Sequence, residues 1–198
     1  WENFCKPESK TEEIFVIGNP PFKGYRARTP QQKEDVSHYL KKTSSKIDYV
    51  VLWFFKGADF ILKYKKVKLA FVATNSVNQG EQVDLIWPRI FNQNIEIIFA
   101  NKSFKWKNSA RNNAVVTVSI IGLALKEIRF NKLLFKNDKK INVKFLNGYL
   151  LDSKNIIVKS SLSSLFNHPK VNHGCISSDN GHLILDSNDK AKLLNENL

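Results

Sequence analysis

Apolar residues fall into runs whose lengths and order predict alternating strands and helices. Residues 14–18 form a continuous apolar run, and residues 67–73 form a run interrupted only by Lys68. Both are of strand length, and each is followed by turn-forming residues. Residues 47–64 are apolar nearly all round, which predicts a helix buried between a sheet and its neighbours. The polar residues 22–45 show no periodicity, which predicts a long functional or mobile loop.

The pattern continues with a second helix and two more strands. Residues 80–91 predict a helix, with Glu81 near its positive end and with Pro88 expected to kink or split it. Residues 95–100 and 115–123 predict two strands. Their connection is too short for a helical crossover, so we predict an antiparallel hairpin. The order of these elements predicts an α/β fold.

The last part of the chain has a different organisation. Short apolar runs there are separated by Lys, Asn, Ser and Gly, and residues 145–149 and 156–158 predict short strands. We therefore predict two regions, residues 1–125 and residues 126–198, and we expect the change of organisation near residues 126–140.

Composition predicts a globular chain. The 198 residues are 42% hydrophobic and 12% aromatic, enough for one domain or most of one with the beginning of another. The sequence has no methionine and opens on Trp1, so we expect an excised piece of a longer protein. It shows no apolar stretch of about 18 residues and no charged leader, so we expect a cytoplasmic protein without a membrane partner. Cys5 and Cys175 are too few for a disulfide framework.

Charge points to a polyanionic partner. The formal net charge is +13, and residues 126–170 hold ten Lys/Arg against three Asp/Glu, a net +7. A basic excess of this size favours DNA. The alternative interpretation is a solvated basic surface, or a compensating acidic region elsewhere in the parent protein.

Asn19-Pro20-Pro21-Phe22 follows the first predicted strand, where open α/β sheets bind ligands. The Asn19 side chain and the Pro20 carbonyl are acceptors suited to holding a conjugated NH2 group by its hydrogens. The Phe22 ring offers a stacking face worth roughly 1–3 kcal/mol to a base extruded from the duplex. This tetrapeptide is typical of methyltransferases acting on exocyclic or amide nitrogens. The alternative is a rigid turn without chemistry.

Several blocks, in this order along the chain, resemble the methyltransferase region of the MmeI family, bacterial enzymes that fuse a nuclease, an adenine-N6 DNA methyltransferase and a target recognition domain. The most specific block is Thr-Asn-Ser-x-x-Gln-Gly-Glu-Gln, which begins at Thr74. The sequence departs from the family at Ser109, where Glu is commoner, and at Asn112-Asn113, where Gly-Lys is commoner. The blocks are residues 18–22, 48–50, 71–83, 85–88, 99–106, 114–116 and 120–122, with a looser match at 149–152 and 179–185.

The resemblance implies the C-terminal half of a class I (Rossmann-like) methyltransferase sheet, ending in a β-hairpin and followed by the start of a target recognition domain. It implies transfer of a methyl group from S-adenosylmethionine to adenine N6 in double-stranded DNA, within a restriction-modification enzyme. The remainder of the parent polypeptide, with its nuclease, cofactor-binding half and recognition domain, would be a partner. Two alternatives stay open: methylation of protein glutamine or RNA, and a DNA-binding module without chemistry.

The resemblance also assigns site residues by matching position. It implies an amine-binding loop, two aromatic candidates for the wall of a flipped-base pocket, and three polar candidates for DNA contact or for bracing the loop. For the aromatic pair the alternative is hydrophobic packing of the hairpin, and for the polar residues it is helix capping and turn formation. In that order, the residues are Asn19, Pro20, Pro21 and Phe22; Phe104 and Trp106; Asn75, Ser76 and Gln79.

A cluster near the end of the sequence contains potential metal ligands. Its spacing matches no established metal pattern, so we expect no metal site. The cluster consists of His168, His173, Cys175, Asp179 and His182.

The family holds S-adenosylmethionine with a glycine-rich loop and a following acidic residue, and the sequence has room for neither before Ile14. We therefore predict that residues 1–198 alone neither bind S-adenosylmethionine tightly nor methylate DNA. Isothermal titration of this chain with S-adenosylmethionine should show no saturation at micromolar concentrations. A tight complex would contradict the prediction.

Overall fold

A mixed six-stranded sheet forms the framework of the molecule. The structure is a computed structural model that describes residues 12–41, 46–106, 116–126, 131–159, 161 and 185–196. The strands lie in the order β1-β2-β4-β3-β5-β6. They are β1 (Ile14–Gly18), β2 (Val67–Thr74), β3 (Ile95–Trp106), β4 (Val116–Leu125), β5 (Lys132–Lys136) and β6 (Lys139–Val143). The predicted α/β class is confirmed.

Four of the six strands run in the same direction. β1 is parallel to β2 and β3 is parallel to β5, whereas β4 lies antiparallel between β2 and β3. β6 returns antiparallel to β5 at one margin of the sheet. The carboxyl ends of β1, β2, β3 and β5 therefore lie along one edge, which we call the carboxyl edge. The opposite edge is the amino edge.

Three helices accompany the sheet, and the core lies between the sheet and the helices. They are α1 (Pro30–Leu40), α2 (Val51–Tyr64) and α3 (Gly80–Phe91). Gly57 of α2 approaches β2 so closely that an added Cβ would lie 2.4 Å from a Leu69 methyl. Beside this contact, the Phe54 ring meets Phe71 edge-on at 5.5 Å and Trp87 at 6.2 Å between centroids. Glycine thus permits the close helix–sheet packing that buries these aromatic rings.

The polar segment of residues 22–45 is not the irregular loop that its composition predicted. It contains a single 3-10 turn at Tyr25–Ala27 and then the eleven-residue helix α1. Thr29 caps α1 in a capping box with Gln32, and Pro30 occupies the first turn. α1 buries Val36, which is 2% exposed. Residues 42–45 lie outside the described part of the chain.

The remaining elements are close to their predicted bounds. The helix predicted over residues 80–91 is confirmed, and Pro88 does not split it. The helix predicted over residues 47–64 begins only at Val51. The residues before it form a turn, and the amides of Asp48 and Tyr49 donate to Gln82 and Lys23 outside the helix. The antiparallel hairpin of β3 and β4 is confirmed, with β3 extended to Trp106.

Beyond residue 125 the sheet continues, which was not predicted. β5 and β6 occupy residues 132–143, and the strands predicted over 145–149 and 156–158 are wrong. Asn147 explains the first error, because its buried side-chain oxygen accepts the amides of Tyr149 at 3.0 Å and Leu151 at 3.1 Å. A side chain that bonds nearby amides in this way forms a turn instead of a strand. The predicted boundary between residues 1–125 and 126–198 stays a prediction.

Residues 161–198 form a separate compact unit. Its described helix is α4 (Ser187–Glu196), in which residues 187–195 are exposed. The Asp186 carboxylate accepts the amides of Asn188 and Asp189, both at 2.8 Å, and so caps the first turn of α4.

The turn around Asn147 is locked against α3. Trp87 is fully buried and donates its indole N–H to the Val77 carbonyl at 2.8 Å, so its ring is fixed. A Cβ at Gly148 would lie 2.5 Å from that ring. At Gly24, by contrast, the nearest atom would be 3.8 Å away and the φ of −59° suits any residue.

We predict that Gly148→Ala lowers the free energy of unfolding by about 1–3 kcal/mol, because the added methyl overpacks a ring that cannot move. Gly24→Ala is the control and should change it by less than about 0.5 kcal/mol. Urea denaturation measures both. Equal stability of the two variants would contradict the packing of Gly148 on Trp87.

Candidate functional site

The Asn-Pro-Pro-Phe segment directly follows β1 at the carboxyl edge. Asn19 and Pro21 are exposed, whereas Pro20 is buried and Phe22 is half-buried against the hydrophobic core. The segment is therefore anchored by two apolar side chains, and the amide side chain of Asn19 is left at the surface. This arrangement presents a hydrogen-bonding group on a fixed backbone.

A buried carboxylate holds the chain that continues from this segment. Asp48 is 8% exposed, and one carboxylate oxygen accepts the Tyr25 amide at 3.0 Å. The other oxygen accepts the Ser76 hydroxyl at 2.7 Å. Next to Asp48, the Tyr49 amide donates to the Lys23 carbonyl at 2.7 Å. Asp48 thus joins the loop after β1 to the loop after β2.

Gln82 of α3 holds the chain around Asp48 in place. Its side-chain oxygen accepts the Asp48 amide at 3.1 Å, and its side-chain nitrogen donates to the Lys46 carbonyl at 2.6 Å. The Tyr49 hydroxyl donates to the Asp35 carboxylate at 2.6 Å, which links α1 to the same turn. Burial is the largest cause that raises the pKa of Tyr49 to about 12, and this hydrogen bond raises it further, so the hydroxyl stays a donor at neutral pH.

Arg28 places a positive charge near the buried Asp48 carboxylate. Its Nε donates to the Tyr25 carbonyl at 3.1 Å. Burial lowers the pKa of Arg28, and the negative charge of Asp48 opposes that shift. A buried carboxylate needs hydrogen bonds and a nearby opposite charge, and Asp48 has both.

The loop after β2 is a 3-10 turn, Asn75–Asn78, that carries two of the predicted polar residues. The Asn75 side-chain oxygen accepts the Ser103 hydroxyl at 2.7 Å and lies 3.5 Å from the Ser119 hydroxyl. The Ser76 hydroxyl lies 2.8 Å from that of Thr74 and also bonds Asp48. The structure therefore brings both residues into bracing contacts.

Gln79 lies differently from its two predicted companions. It is exposed at the N-cap position of α3, and its side chain makes no capping hydrogen bond there. Its backbone amide donates to the Ser76 carbonyl at 3.1 Å. The side chain of Gln79 is thus directed to the surface of the carboxyl edge.

Phe104 and Trp106 stand together near the end of β3. Their ring centroids are 6.2 Å apart at an interplanar angle of 51°, and both side chains are half-buried. A register shift between Asn101 and Phe104, with Ser103 at a φ of 42°, precedes them. β2 and β4 separate β3 from β1, the strand that precedes Asn19. Measured across the sheet, the aromatic pair therefore lies about 14 Å from β1.

Two negative findings concern the described residues alone. In that part of the chain, no group of three or more His, Cys, Asp or Glu side chains is placed to hold a metal ion. The histidine-rich cluster from His168 to His182 lies outside it. Among the described helices, none combines the length and the apolar character that a membrane crossing requires.

Comparison with known proteins gives the family. The sequence model described as "MmeI, DNA-methyltransferase domain" matches residues 1–136, more than half of the chain. The chain belongs to the MmeI DNA-methyltransferase family. This confirms the resemblance inferred from the Thr-Asn-Ser block and its neighbours, and it agrees with the observed half of a methyltransferase sheet.

Two relatives of this MmeI-family chain are informative. The chain is 37% identical over 198 residues to "DNA methyltransferase A" of Bacillus subtilis (strain 168), and the match covers 99% of this chain. It also resembles the structure of the type IIL restriction-modification enzyme MmeI in complex with DNA, with a TM-score of 0.84, 32% identity and 92% coverage of this chain. The chain spans 22% of the length of the first relative and 25% of the second.

Sequence analysis of this MmeI-family chain missed the residues that hold the loop after β1 in place. Asp48 and Tyr49 were interpreted only as a family block that opens an apolar helix, and Gln82 only as part of the Thr-Asn-Ser block. The usable signal was an acid directly before a long apolar run, where it does not continue the hydrophobic face. The partners of Asp48 are far apart in sequence, so no local pattern identifies them.

We predict that Asp48→Ala frees the loop after β1, because the Tyr25 amide and the Ser76 hydroxyl lose their acceptor. The free energy of unfolding should fall by about 1–3 kcal/mol, because two partly buried donors are left without an acceptor. Hydrogen–deuterium exchange should show faster exchange at the Tyr25 amide. Ser76→Ala is the matched control, since it removes one donor and leaves the Tyr25 bond. Unchanged exchange in Asp48→Ala would contradict the role of this carboxylate.

Proposed function

We propose that this chain supplies the amine-binding loop of an adenine-N6 DNA methyltransferase that extrudes the target base from the duplex. The observation that carries the proposal is the exposed Asn19 at the carboxyl end of β1, beside a buried Pro20. Ligand sites of open α/β sheets lie at this position. The Asn-Pro-Pro-Phe motif and its position at the carboxyl edge thus support the same role.

The chemistry assigned to the loop is orientation of an amino group. The adenine NH2 is conjugated to the ring and is a poor nucleophile, so its nitrogen has to be aimed at the methyl donor. The Asn19 side-chain oxygen and the Pro20 carbonyl would accept its two hydrogens. Positive charge that develops on the nitrogen during transfer would be stabilised by the same two acceptors.

Phe22 is the stacking candidate for the extruded base. The ring is half-buried against the core, so its position is set by packing and part of it stays accessible. A base stacked on such a ring would gain roughly 1–3 kcal/mol, which offsets part of the cost of extrusion. Phe104 and Trp106 are proposed as a second aromatic wall, and Gln79 as a DNA contact. Asn75 and Ser76 are proposed to brace the loop.

The methyl donor proposed for the whole enzyme is S-adenosylmethionine, which supplies an electrophilic methyl group when bound. The chain itself does not fit that group: none of its eight glycines forms a Gly-x-Gly pair. We therefore assign no step of cofactor binding to the residues of this chain. Residues elsewhere in the parent polypeptide would hold the cofactor.

DNA is the proposed substrate because of the relatives and the charge. One relative bears the name DNA methyltransferase, and the other is a restriction-modification enzyme solved with DNA. The net charge of +13 suits a polyanion. We propose that the parent protein acts on double-stranded DNA in the bacterial cytoplasm as part of a restriction-modification system.

We predict that Asn19→Ala in the full-length protein lowers the rate of methyl transfer about 100-fold or more, because one of two acceptors for the amine is removed. The measurement is transfer of labelled methyl groups from S-adenosylmethionine to mixed-sequence duplex DNA, followed by nucleoside analysis. The label should appear in N6-methyladenine.

The matched control is Asn92→Ala, an exposed asparagine that follows α3 at the amino edge. This variant should methylate at the wild-type rate. Full activity of Asn19→Ala would refute the role of the loop. Label in protein glutamine or in RNA would refute the choice of DNA.

A further inference from the structure

The β5–β6 hairpin ends in a lysine-rich tip at the carboxyl edge. Its two turn residues, Asn137 and Asp138, have φ angles of 50° and 59°, which gives a tight two-residue connection. Lys136 and Lys139 are directly paired across the turn, and Lys140 follows. Like charges directly opposite each other destabilise a strand pair. The placement thus has a local cost that folding does not explain.

A fourth lysine lies beside this turn. Asn101 of β3 pairs with Phe135 of β5, so Lys102 and Lys136 occupy the next positions along the two strands. Burial lowers the pKa of Lys102, and the positive charge of Lys136 lowers it further. We call Lys102, Lys136, Lys139 and Lys140 the lysine tip.

The four lysines of the tip outnumber the nearby carboxylates, because among their immediate neighbours in the hairpin only the turn residue Asp138 is acidic. The ion pairs found in the described part of the chain do not include any of these four lysines. Lys132, in the same hairpin, is instead paired with Glu96 at 2.6 Å. The hairpin therefore contains one ion-paired lysine, Lys132, and at the carboxyl edge a group of lysines with a net positive charge even after Asp138 is counted.

We infer that the lysine tip binds the phosphodiester backbone of duplex DNA beside the Asn19 loop. The inference rests on the proposed function, because it takes the Asn19 loop as the place where the base is extruded. Four strand spacings separate β1 from β5, about 19 Å. That span corresponds to roughly five or six base pairs at about 3.4 Å each. Phosphate contacts at this distance position the duplex and carry no sequence information.

Lysines on margin strands also prevent a sheet from pairing with another chain, which is a purely structural explanation. That explanation fits Lys139 and Lys140 of β6. It does not fit Lys102 and Lys136, because β3 and β5 each have neighbours on both sides. Binding of an anion explains all four lysines together.

The test is the salt dependence of DNA binding by the full-length protein. The variant is the triple substitution Lys136→Gln, Lys139→Gln and Lys140→Gln. Each lost phosphate contact lowers the slope of log K against log salt concentration by about 0.9. We expect the slope to fall by roughly two to three, with weaker binding to duplexes of every sequence. Thermal unfolding of the variant should occur at the wild-type temperature or slightly above it, because the repulsion between Lys136 and Lys139 is removed.

The matched control removes the same charge at the amino edge, through Lys65→Gln, Lys126→Gln and Lys144→Gln, all at exposed positions. It should keep the wild-type slope. An equal loss in both triple variants would show that only net charge matters and would overturn the inference. An unchanged slope in the tip variant would also overturn the inference. So would a loss of affinity that the tip variant shows for single-stranded RNA but not for duplex DNA. Methyl transfer by the wild type tests the proposed function separately.

Discussion

The site depends on one buried carboxylate. Beyond Gly18 and Thr74 the sheet no longer provides a backbone ladder, so the loops after β1 and β2 need another interaction to hold them together. Asp48 provides it by accepting one donor from each loop. A hydrogen bond to a charged group is worth about 1.5–3 kcal/mol, more than a neutral pair. A carboxylate also has acceptors on both oxygens, which a single hydroxyl cannot offer.

Further hydrogen bonds along the carboxyl edge connect that carboxylate to β3 and β4. Ser76 links Asp48 to the loop after β2, and the adjacent Asn75 bonds Ser103 of β3 and lies near Ser119 of β4. Four successive strands are therefore connected at their ends by short side chains. Short side chains lose little conformational entropy when they are fixed, so such a network holds the edge rigid at low cost. The loop after β1 and the bulge before Phe104 are parts of the same braced edge.

How far the sequence predicts this arrangement depends on the range of the interactions. Helix 80–91 and the β3–β4 hairpin were predictable because apolar spacing is a local signal. α1 was missed although Thr29, Pro30 and Gln32 form a readable capping box, because the segment lacks a strong apolar face. The partners of Asp48 could not be identified, since they are 23 and 28 residues away in sequence. The catalytic assignment of Asn19 came from resemblance, and the structure adds its exposure and the anchoring of its neighbours.

The two prolines explain how the Asn19 loop can be anchored and still suit the amine-binding role proposed for it. A buried residue must find partners for its backbone groups, but Pro20 has no N–H to satisfy and contributes only an acceptor. A residue before proline is confined to extended conformations, so Asn19 and Pro20 are both restricted, and the φ of Pro20 and Pro21 is fixed. Three consecutive residues thus have little backbone freedom to lose when a substrate binds. In the proposed function, such a loop would orient the amino group at low entropic cost, which is the main requirement for activating so poor a nucleophile.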